Sequence, residues 1–422
     1  MILVLGGGLM GSATAWQLAS VGEKVVLLEQ QSSEYTFGSS LGEARICRSL
    51  GPKNDIWSYL HRRALTENKS LIKFLNANDQ EHHAMEDIYT DSPVTYILHT
   101  DKQEAVARML RQQPDTYECS YTPAEALEKF DVTVSENQIV IREYRKYTGT
   151  INPKALIKKL HRGILLKGGE VRFNQQVKQI QRTPDCYAVD VLDAARGSSE
   201  KIEAKRLVSA AGPYTGNLLK KVAPEFSQLI TPKRVFLAFL KIRKERFQSY
   251  SADQKQKIFN FYPLIDLGPD HIFSMIEEKD KDGNPLLKVG GHFQRDDIKS
   301  LGEVWTKEVS AEEIEFGKKG VLDYFKFLNI PLQAEELTFQ KGYSCVYSLT
   351  KSEVPIVSNL PQEDGGLDPN AVMLGGMSGV GAKGSLTYGL IATNLLLGKE
   401  EDDFMYQKVK KALRFLPSSF IL

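Results

Sequence analysis

The N-terminal stretch of about thirty residues constrains the fold more than any other part of the chain. An apolar run from Ile2 to Leu5 leads into Gly6-Gly7-Gly8-Leu9-Met10-Gly11, and an apolar-periodic stretch follows. A second apolar run, Val25 to Leu28, ends at Glu29. This order predicts strand, tight turn, helix and strand, which together form a βαβ unit that binds a dinucleotide.

The glycine spacing in this unit has a separate physical reason at each position. Gly6 allows the tight turn, Gly8 lets the backbone approach a pyrophosphate, and Gly11 lets the helix pack closely on the strand. The start of the helix offers unpaired N–H groups to the phosphates. Glu29 is placed to accept hydrogen bonds from ribose hydroxyls, and its charge disfavours the 2′-phosphate of NADP. These residues alone leave FAD and NAD open.

The composition is close to that of an ordinary soluble globular protein. Lys and Arg number 54 and Asp and Glu number 53, so the formal net charge is +1. This balance argues against nucleic acid as a partner and against an acidic tail protein. Hydrophobic residues make up 42% of the 422 residues, and this length predicts two or three domains.

The cysteine and histidine spacings predict neither a disulfide scaffold nor a metal site. No CxxC pair occurs, and the acids near His82-His83 do not form a persuasive metal-ligand pattern, so we interpret that pair as part of a solvated loop. No signal peptide and no apolar window of 18 residues is found, which predicts a cytoplasmic protein without a membrane span. The four scattered cysteines are Cys47, Cys119, Cys186 and Cys345.

Periodicity predicts several further elements along the chain. Residues 32–53 are rich in Ser and Gly and are interpreted as a loop that contacts a cofactor. Asn152 or Thr150 is expected to cap a helix that has Pro153 in its first turn. Predicted helices span about 54–78, 154–166, 311–328 and 384–396, and predicted strands span 94–98, 170–173, 187–191 and 206–209.

Several motifs in fixed order carry a resemblance to a known family. The first thirty residues look like the FAD-binding start of flavoprotein oxidases. Five later stretches narrow the resemblance to the monomeric sarcosine oxidase and N-methyltryptophan oxidase family, within the D-amino acid oxidase-like superfamily. These stretches are Gly42-Glu43-Ala44-Arg45-Ile46-Cys47-Arg48, Val208-Ser209-Ala210-Ala211-Gly212-Pro213-Tyr214, Lys288-Val289-Gly290-Gly291-His292, Cys345-Val346-Tyr347 and Gly376-Met377-Ser378-Gly379-Val380-Gly381-Ala382-Lys383.

The resemblance implies an α/β fold with two domains, each discontinuous in sequence. One is a Rossmann-like FAD-binding domain, and the other is a substrate domain built on a mixed β-sheet. The implied FAD-binding domain comprises residues 1–83, 148–222 and 340–422, and the substrate domain comprises 84–147 and 223–339.

The resemblance also implies a substrate-binding site. Arg48 and Lys383 are expected to hold the substrate carboxylate, because a planar guanidinium pairs with a carboxylate through two parallel hydrogen bonds. Arg45 is expected beside the flavin, on a loop or first helical turn that it shares with Arg48. Tyr347 is expected to line the pocket. The chain departs from the family at Val380, where relatives often have histidine, so the substrate side chain stays open.

Three more residues have roles implied by the resemblance. Lys288 and His292 are four apart, so an extended strand would place both on one face. The lysine is expected to assist the reaction of reduced flavin with oxygen, and the histidine to line the amine site. Cys345 aligns with the cysteine that links to FAD through a thioether, although a buried spectator thiol is the alternative. Cys47 is interpreted as a packing residue.

The motif and the resemblance together assign a larger set of residues to FAD binding. Backbone N–H groups near Lys383 are expected to face the flavin pyrimidine oxygens. The set comprises Gly6, Gly8, Leu9, Met10, Gly11, Glu29, Gln30, Ser40, Arg45, Val177, Ala211, Gly212, Cys345, Gly376, Gly379, Gly381 and Lys383.

We therefore predict an FAD-dependent oxidase of a small secondary amine or N-methyl amino acid. It would form an imine, with oxygen as acceptor and hydrogen peroxide as product. One alternative is an FAD-dependent D-amino acid or 2-hydroxy acid dehydrogenase that passes electrons to a quinone or carrier. An NAD-dependent dehydrogenase and a flavoprotein with a binding or assembly role also stay open.

Overall fold

The computed structural model describes residues 1–48, 54–99, 117–143, 148–268, 272–279, 283–291, 293, 298 and 300–415. The strands in these residues are β1 (Ile2–Leu5), β2 (Val25–Leu28), β3 (Arg45–Cys47), β4 (Tyr89–Asp91), β5 (Val94–His99), β6 (Tyr117–Tyr121), β7 (Gln138–Glu143), β8 (Gly149–Ile151), β9 (Glu170–Arg172), β10 (Gln175–Arg182), β11 (Tyr187–Asp193), β12 (Ser198–Ala204), β13 (Arg206–Ser209), β14 (Thr231–Ile242), β15 (Leu264–Asp266), β16 (Phe273–Lys279), β17 (Pro285–Gly290), β18 (Leu337–Leu349), β19 (Ile356–Pro361) and β20 (Leu367–Gly375).

The α-helices are α1 (Leu9–Ser20), α2 (Asn54–Asn78), α3 (Pro123–Phe130), α4 (Pro153–Leu166), α5 (Thr215–Leu219), α6 (Pro224–Leu229), α7 (Lys244–Ser249), α8 (Ala252–Asn260), α9 (Leu301–Thr306), α10 (Ala311–Phe327), α11 (Ser385–Leu397) and α12 (Phe404–Leu413). Short 3₁₀ turns span Gly212–Tyr214, Ala334–Glu336 and Ala382–Gly384. The predicted helices are confirmed at α2, α4, α10 and α11, and the Asn152 side chain caps α4 by accepting from the Ala155 N–H at 3.0 Å.

A six-stranded sheet forms the first layer, in the order β19-β20-β13-β1-β2-β9. All neighbours in it are parallel except β19 and β20. Its central strands are buried on both faces. In β1, Ile2 and Val4 belong to the core beneath α1 and α11, whereas Leu3 and Leu5 belong to the core shared with the β10-β11-β12 sheet. The predicted α/β fold class is confirmed.

An eight-stranded mixed sheet forms the second layer, in the order β18-β14-β17-β16-β15-β5-β7-β6. Helix α10 covers one face, where Val321, Tyr324 and Phe325 join Phe236 and Leu240 of β14 in one hydrophobic core. Each fully buried aliphatic side chain contributes about 1.5–3 kcal/mol. Strand β18 carries Cys345 at the edge of this sheet. The division of the chain into two discontinuous domains remains a prediction.

A small sheet in the order β3-β8-β4 contains the arginine segment. Arg45 pairs with Ile151 and Cys47 with Gly149 across the antiparallel β3-β8 ladder. The prediction of a loop or a first helical turn at Arg45 is therefore wrong. The segment is extended because its backbone hydrogen bonds go to β8, a partner about a hundred residues away that the local Ser- and Gly-rich composition does not reveal.

The interpretation of His82-His83 as solvated holds for only one member of the pair. His82 is exposed, but His83 is buried. Its Nε2 lies 3.1 Å from the Asp79 carboxylate and its Nδ1 lies 3.1 Å from Lys159 Nζ. His83 thus has one local partner, Asp79, and one distant partner, Lys159, and the solvated interpretation is wrong there. Among the helices of the described residues, none is long and apolar enough to cross a membrane.

Candidate active site

A large cavity runs along the carboxyl ends of β1, β2 and β13. The empty space between its walls, including the part open to solvent, is about 1470 Å³. Ligands of open parallel sheets bind at this edge. The walls include Leu5, Gly6, Gly8, Leu9, Met10, Leu28, Glu29, Gln30, Gln31, Tyr35, Phe37, Gly38, Ser39, Ser40, Arg45, Gln175, Gln176, Val177, Ala210, Ala211, Gly212, Pro213, Tyr214, Leu218, Trp305, Cys345, Val346, Tyr347, Ser348, Met377, Ser378, Gly379, Gly381 and Ala382.

The turn between β1 and α1 requires glycine at two positions. Gly6 has φ +97°, and a Cβ there would lie 2.6 Å from the Ala210 carbonyl oxygen. A Cβ on Gly11 would lie 1.8 Å from the Gly6 carbonyl oxygen. Gly11 therefore serves the close packing of helix on strand, as predicted, and it is not part of the cavity wall that the described residues form.

The start of α1 forms one end of the cavity. The Leu9 N–H donates to Ser40 Oγ at 3.1 Å, so the predicted Ser40 lies at the helix N-terminus. A Cβ on Gly8 would meet this hydroxyl at 3.2 Å, so glycine keeps the wall open there. N–H groups at a helix start and its dipole favour an anion, and a pyrophosphate fits this position.

Glu29 lies beside the glycine turn, at the end of β2. Its carboxylate accepts the Gly7 N–H at 2.7 Å and the Gln31 N–H at 2.9 Å. Burial raises the pKa of this carboxyl, and the backbone hydrogen bonds oppose that effect. These bonds leave acceptor capacity on the oxygens, which suits the ribose hydroxyls that the sequence predicts.

Cys345 lies in the part of the cavity wall that β18 contributes. The residue is 4% exposed. Burial raises the pKa of its thiol, and the charge of Arg45, a hydrogen bond with Ser39 and the charge of Lys288 oppose this. Thioether formation needs the thiolate, so the two nearby cations act in the required direction.

Lys288 and Arg45 are joined by one backbone group. Lys288 is 2% exposed, and its ammonium donates to the Ala44 carbonyl oxygen at 2.6 Å. Arg45 donates to the same oxygen at 2.8 Å through Nη1. The contact between Ala44 and Lys288, which are 244 positions apart, thus brings the Lys288 and Arg45 side chains together near the Cys345 sulfur.

Tyr347 lines the same part of the cavity, two residues beyond Cys345 on β18. Its ring lies against Gly379, where a Cβ would meet the ring at 2.8 Å. Gly379 has φ +76°, a conformation that favours glycine. The Gly-rich segment at 376–381 therefore makes room for the tyrosine ring.

Arg48 and Lys383 meet away from this wall. Lys383 Nζ donates to the Arg48 carbonyl oxygen at 2.9 Å and lies 5.8 Å from the centre of the Trp57 ring. Burial, together with the charge of Arg48, lowers the pKa of Lys383 to about 7, against the opposing effects of Glu143 and Cys47. Within the described residues, neither Arg48 nor Lys383 is part of the cavity lining.

The two arginines differ in local structure. Arg45 lies in β3, whereas Arg48 directly follows its last residue, Cys47. Arg45 lies with Lys288 and Cys345, and Arg48 lies with Lys383 and Tyr96.

A buried acid near Arg48 escaped the sequence analysis. Glu143 ends β7 and is fully buried, and the Tyr96 hydroxyl donates to its carboxylate. Burial and the Glu143 charge raise the pKa of Tyr96, while Arg48 lowers it through its charge and a hydrogen bond. An apolar strand that ends in a glutamate is a common pattern, so no sequence signal marks this residue.

Aromatic residues of the wall were also missed. The Tyr35 hydroxyl donates to the Gly7 carbonyl oxygen. Trp305 stacks on Phe37 with ring centres 5.4 Å apart and donates through Nε1 to the Tyr214 hydroxyl at 2.8 Å. Composition alone points to the loop at 32–53, but it does not single out these rings.

Most of the predicted cofactor residues lie in the cavity wall. Three predicted cofactor residues, Gly376, Gly11 and Lys383, are not part of the wall that the described residues form. Gly376 has φ +63° and packs against Thr350. His292 lies outside the described residues. The residues in the wall are Gly6, Gly8, Leu9, Met10, Glu29, Gln30, Ser40, Arg45, Val177, Ala211, Gly212, Cys345, Gly379 and Gly381.

This lining fits FAD. The N–H groups at the start of α1 and the Glu29 carboxylate lie in the wall, as does Arg45, whose charge acts on the Cys345 thiol. FAD needs this combination, because its pyrophosphate is anionic and its ring becomes more negative on reduction.

Comparison with known proteins agrees with this geometry. Residues 1–395 match the DAO family, described as FAD dependent oxidoreductase. A probable sarcosine oxidase of Arabidopsis thaliana is 24% identical over 413 residues, covering 94% of this chain and 88% of that protein. The N-methyl-L-tryptophan oxidase of Yersinia pestis is 23% identical over 397 residues, covering 93% of each.

A solved structure has the same fold. NikD, an unusual amino acid oxidase essential for nikkomycin biosynthesis, superposes with a TM-score of 0.69 at 17% identity, covering 98% of this chain and 97% of that one. The resemblance to sarcosine and N-methyltryptophan oxidases is thus confirmed at the level of family and fold. This chain belongs to the FAD-dependent oxidoreductase family.

Proposed function

We propose that this protein oxidises a small secondary amine or N-methyl amino acid to an imine. Oxygen is the electron acceptor and hydrogen peroxide is the product. FAD, when bound, supplies the redox chemistry by accepting the two electrons that leave the substrate. The chain supplies binding, orientation and charge.

The observation that carries this proposal is the pair of basic groups near Cys345, of which Arg45 lines the cavity. Lys288 and Arg45 both donate to the Ala44 carbonyl, and Lys288 is almost completely buried. A buried, fixed cation stabilises negative charge that develops nearby far more than a solvated one does. Reduction of oxygen beside a flavin generates such charge, so this pair favours an oxidase over a dehydrogenase.

Substrate binding is assigned to Arg48, Lys383 and Tyr347. The Lys383 ammonium donates to the Arg48 backbone carbonyl, and the two basic side chains hold the substrate carboxylate. Tyr347 lines the cavity. His292 is retained as the group that orients the amine. The relatives named as oxidases of sarcosine and of N-methyl-L-tryptophan support an N-methylated substrate.

Covalent attachment of FAD through Cys345 is part of the proposal. The thiol lines the cavity within the influence of Arg45 and Lys288, whose charges favour its thiolate form. Attachment at this position places the flavin end of the cofactor beside the two cations.

The test combines peroxide detection with anaerobic reduction. Purified protein with its flavin is incubated with sarcosine, other N-methyl amino acids, D-amino acids and 2-hydroxy acids, and peroxide is measured with a coupled peroxidase. We expect bleaching of the flavin without oxygen, and peroxide in air, with an N-methylated amine.

Three other results would contradict the proposal in different ways. Bleaching without peroxide, with electrons passed only to a quinone, would indicate the dehydrogenase alternative. Absence of bound flavin together with nicotinamide reduction would indicate an NAD-dependent enzyme. Unchanged absorbance with the whole panel would favour a flavoprotein with a binding or assembly role.

A further inference from the structure

Three aromatic side chains in the cavity wall contact one another. Trp305 stacks on Phe37 with ring centres 5.4 Å apart, and its Nε1–H donates to the Tyr214 hydroxyl at 2.8 Å. All three residues line the cavity, and all three are only partly buried. We call them the aromatic bridge, because they connect α9 with the loop after β2 and with the turn after β13.

Trp305 reaches the cavity from a distant part of the chain. Its helix, α9, lies between β17 and β18 in sequence, outside the βαβ unit that carries the glycine turn. Among the described residues between Leu218 and Cys345, Trp305 is the only one in the cavity lining. The described part of this long segment, which includes β14 to β17, thus contributes one side chain to the wall, and that side chain is aromatic.

A buried ion pair holds the backbone that follows α9. Arg234 of β14 pairs with Glu313 of α10, and both are buried. The Arg234 guanidinium also donates through Nη2 to the Glu308 carbonyl oxygen at 3.3 Å. The Ser344 hydroxyl of β18 donates at 2.8 Å to the carbonyl oxygen of the residue directly after α9. The eight-stranded sheet therefore fixes the position from which Trp305 extends to the cavity.

Partly exposed aromatic rings in a cavity suit a ligand that is itself built from flat rings. Aromatic rings stack offset or meet edge to face, and ring surface that a ligand removes from water contributes to binding. FAD has two flat ring systems, and its dinucleotide fits this cavity. We propose that Trp305 is an FAD-binding residue and that the aromatic bridge retains bound FAD. This inference rests on FAD binding and is independent of the proposed substrate and electron acceptor.

The experiment measures how fast bound FAD leaves the protein. Every protein compared carries Cys345→Ser, so that a covalent link does not contribute to retention. The FAD-loaded protein is diluted, free FAD is separated by ultrafiltration at timed intervals, and its absorbance gives the dissociation rate. Trp305→Leu is expected to release FAD about tenfold or more faster than the parent, because it removes an aromatic face from the wall.

Two conservative variants test the hydrogen bond within the bridge. Trp305→Phe keeps a ring beside Phe37 but lacks the donor, and Tyr214→Phe keeps its ring but lacks the acceptor. Each is expected to speed release by about two- to tenfold, the range for loss of one neutral hydrogen bond. Because both remove the same bond, Tyr214→Phe should have no further effect in the Trp305→Phe protein. Additive effects would overturn the hydrogen-bonded bridge.

Phe130→Leu is the matched control for loss of an aromatic ring. Phe130 is also partly buried, and its ring lies against Tyr121 with centres 4.9 Å apart. It is not part of the cavity lining that the described residues form. The variant is expected to release FAD at the parent rate, and thermal unfolding of all variants shows whether a general loss of stability accompanies any change.

The outcomes decide the inference as follows. Faster release from Trp305→Leu, with release from Phe130→Leu unchanged, supports it. Release at the parent rate from Trp305→Leu overturns it, as does equal acceleration in Phe130→Leu. A Cys345→Ser parent that keeps no FAD through purification also overturns it, since the bridge would then retain nothing. If Trp305→Leu fails to fold, release at the parent rate from both phenylalanine variants overturns the inference, and non-additive acceleration supports it.

Discussion

Two pairs of basic side chains lie at the candidate site, and they differ in what surrounds them. Lys288 and Arg45 converge on the Ala44 carbonyl near the Cys345 thiol. Arg48 and Lys383 meet beside the carboxylate of Glu143, which offsets part of their charge. The first pair is suited to charge that appears only during the reaction, and the second to charge that the substrate brings with it.

The end of β3 falls between the two arginines. Arg45 lies in the strand and belongs to the first pair, whereas Arg48 follows its last residue, Cys47, and belongs to the second, so two residues three positions apart are assigned to different steps. Four tests examine whether the two pairs have the different roles assigned to them, and they are ordered from the largest expected effect to the smallest.

Cys345→Ser should abolish covalent retention of the flavin. An alcohol has no accessible anion at neutral pH. Burial raises the pKa of the Cys345 thiol, but the charges of Arg45 and Lys288 oppose that effect and stabilise the thiolate that the linkage needs. Acid precipitation should give a yellow pellet from wild type, and a colourless pellet with free FAD in the supernatant from the variant. Cys186→Ser, at a partly buried site away from the cavity lining, should stay yellow. A colourless wild-type pellet would refute the linkage.

Lys288→Met should slow reoxidation of the reduced flavin by oxygen by about a hundredfold or more, since removal of one preorganised charged donor has effects of this size. Anaerobic reduction by substrate should change only a few-fold, because the substrate pair is intact. Stopped-flow absorbance measures the two steps separately. Lys241→Met, on the adjoining strand β14, serves as the control. Equal slowing of both steps would remove the distinction between the pairs.

Lys383→Met should raise KM for a carboxylate-bearing amine by about ten- to a hundredfold, since a hydrogen bond to a charged group contributes about 1.5–3 kcal/mol. The rate of the oxygen step should stay near that of wild type. Steady-state kinetics and stopped-flow reoxidation provide the two readouts. A variant with unchanged KM and slow reoxidation would place Lys383 with the first pair instead.

The pH dependence of anion binding should follow the lowered pKa of Lys383, about 7. Below this pH the amine is protonated and binds the anion fully. As the pH rises through 7, Lys383 of the free protein loses its proton. The affinity for acetate should therefore fall by at most about tenfold for each pH unit. Titration calorimetry between pH 6 and 9 measures the slope. Lys383→Met should show a flat profile, and a flat wild-type profile would contradict the prediction.

Much of the fold was predictable because its signals are local. The βαβ unit follows from the apolar runs on either side of the glycine turn, and α4 from its Asn152 cap and Pro153. Most of the predicted cofactor residues also lie in the cavity wall, since they directly follow strands that the pattern identifies. The role of β3 was missed because its strand character depends on pairing with the distant β8.

The site was less predictable, because its chemistry depends on contacts between distant segments. Nothing local to Glu143 or Tyr96 distinguishes them from ordinary core-strand residues, yet their contact with Arg48 changes the charge of the substrate site. Trp305 was missed for a similar reason, since its partners Phe37 and Tyr214 come from two other regions.

The amino-acid sequence alone determined the dinucleotide-binding unit, the family resemblance and most of the cofactor wall, because strand and helix periods and glycine spacing are short-range properties. Only the tertiary structure decided how the basic residues are grouped. Lys288 reaches Ala44 across 244 positions, and Glu143 joins Arg48 through Tyr96. Such groupings depend on how distant segments pack together, because the energy between two buried charges is set by the distance that this packing leaves between them.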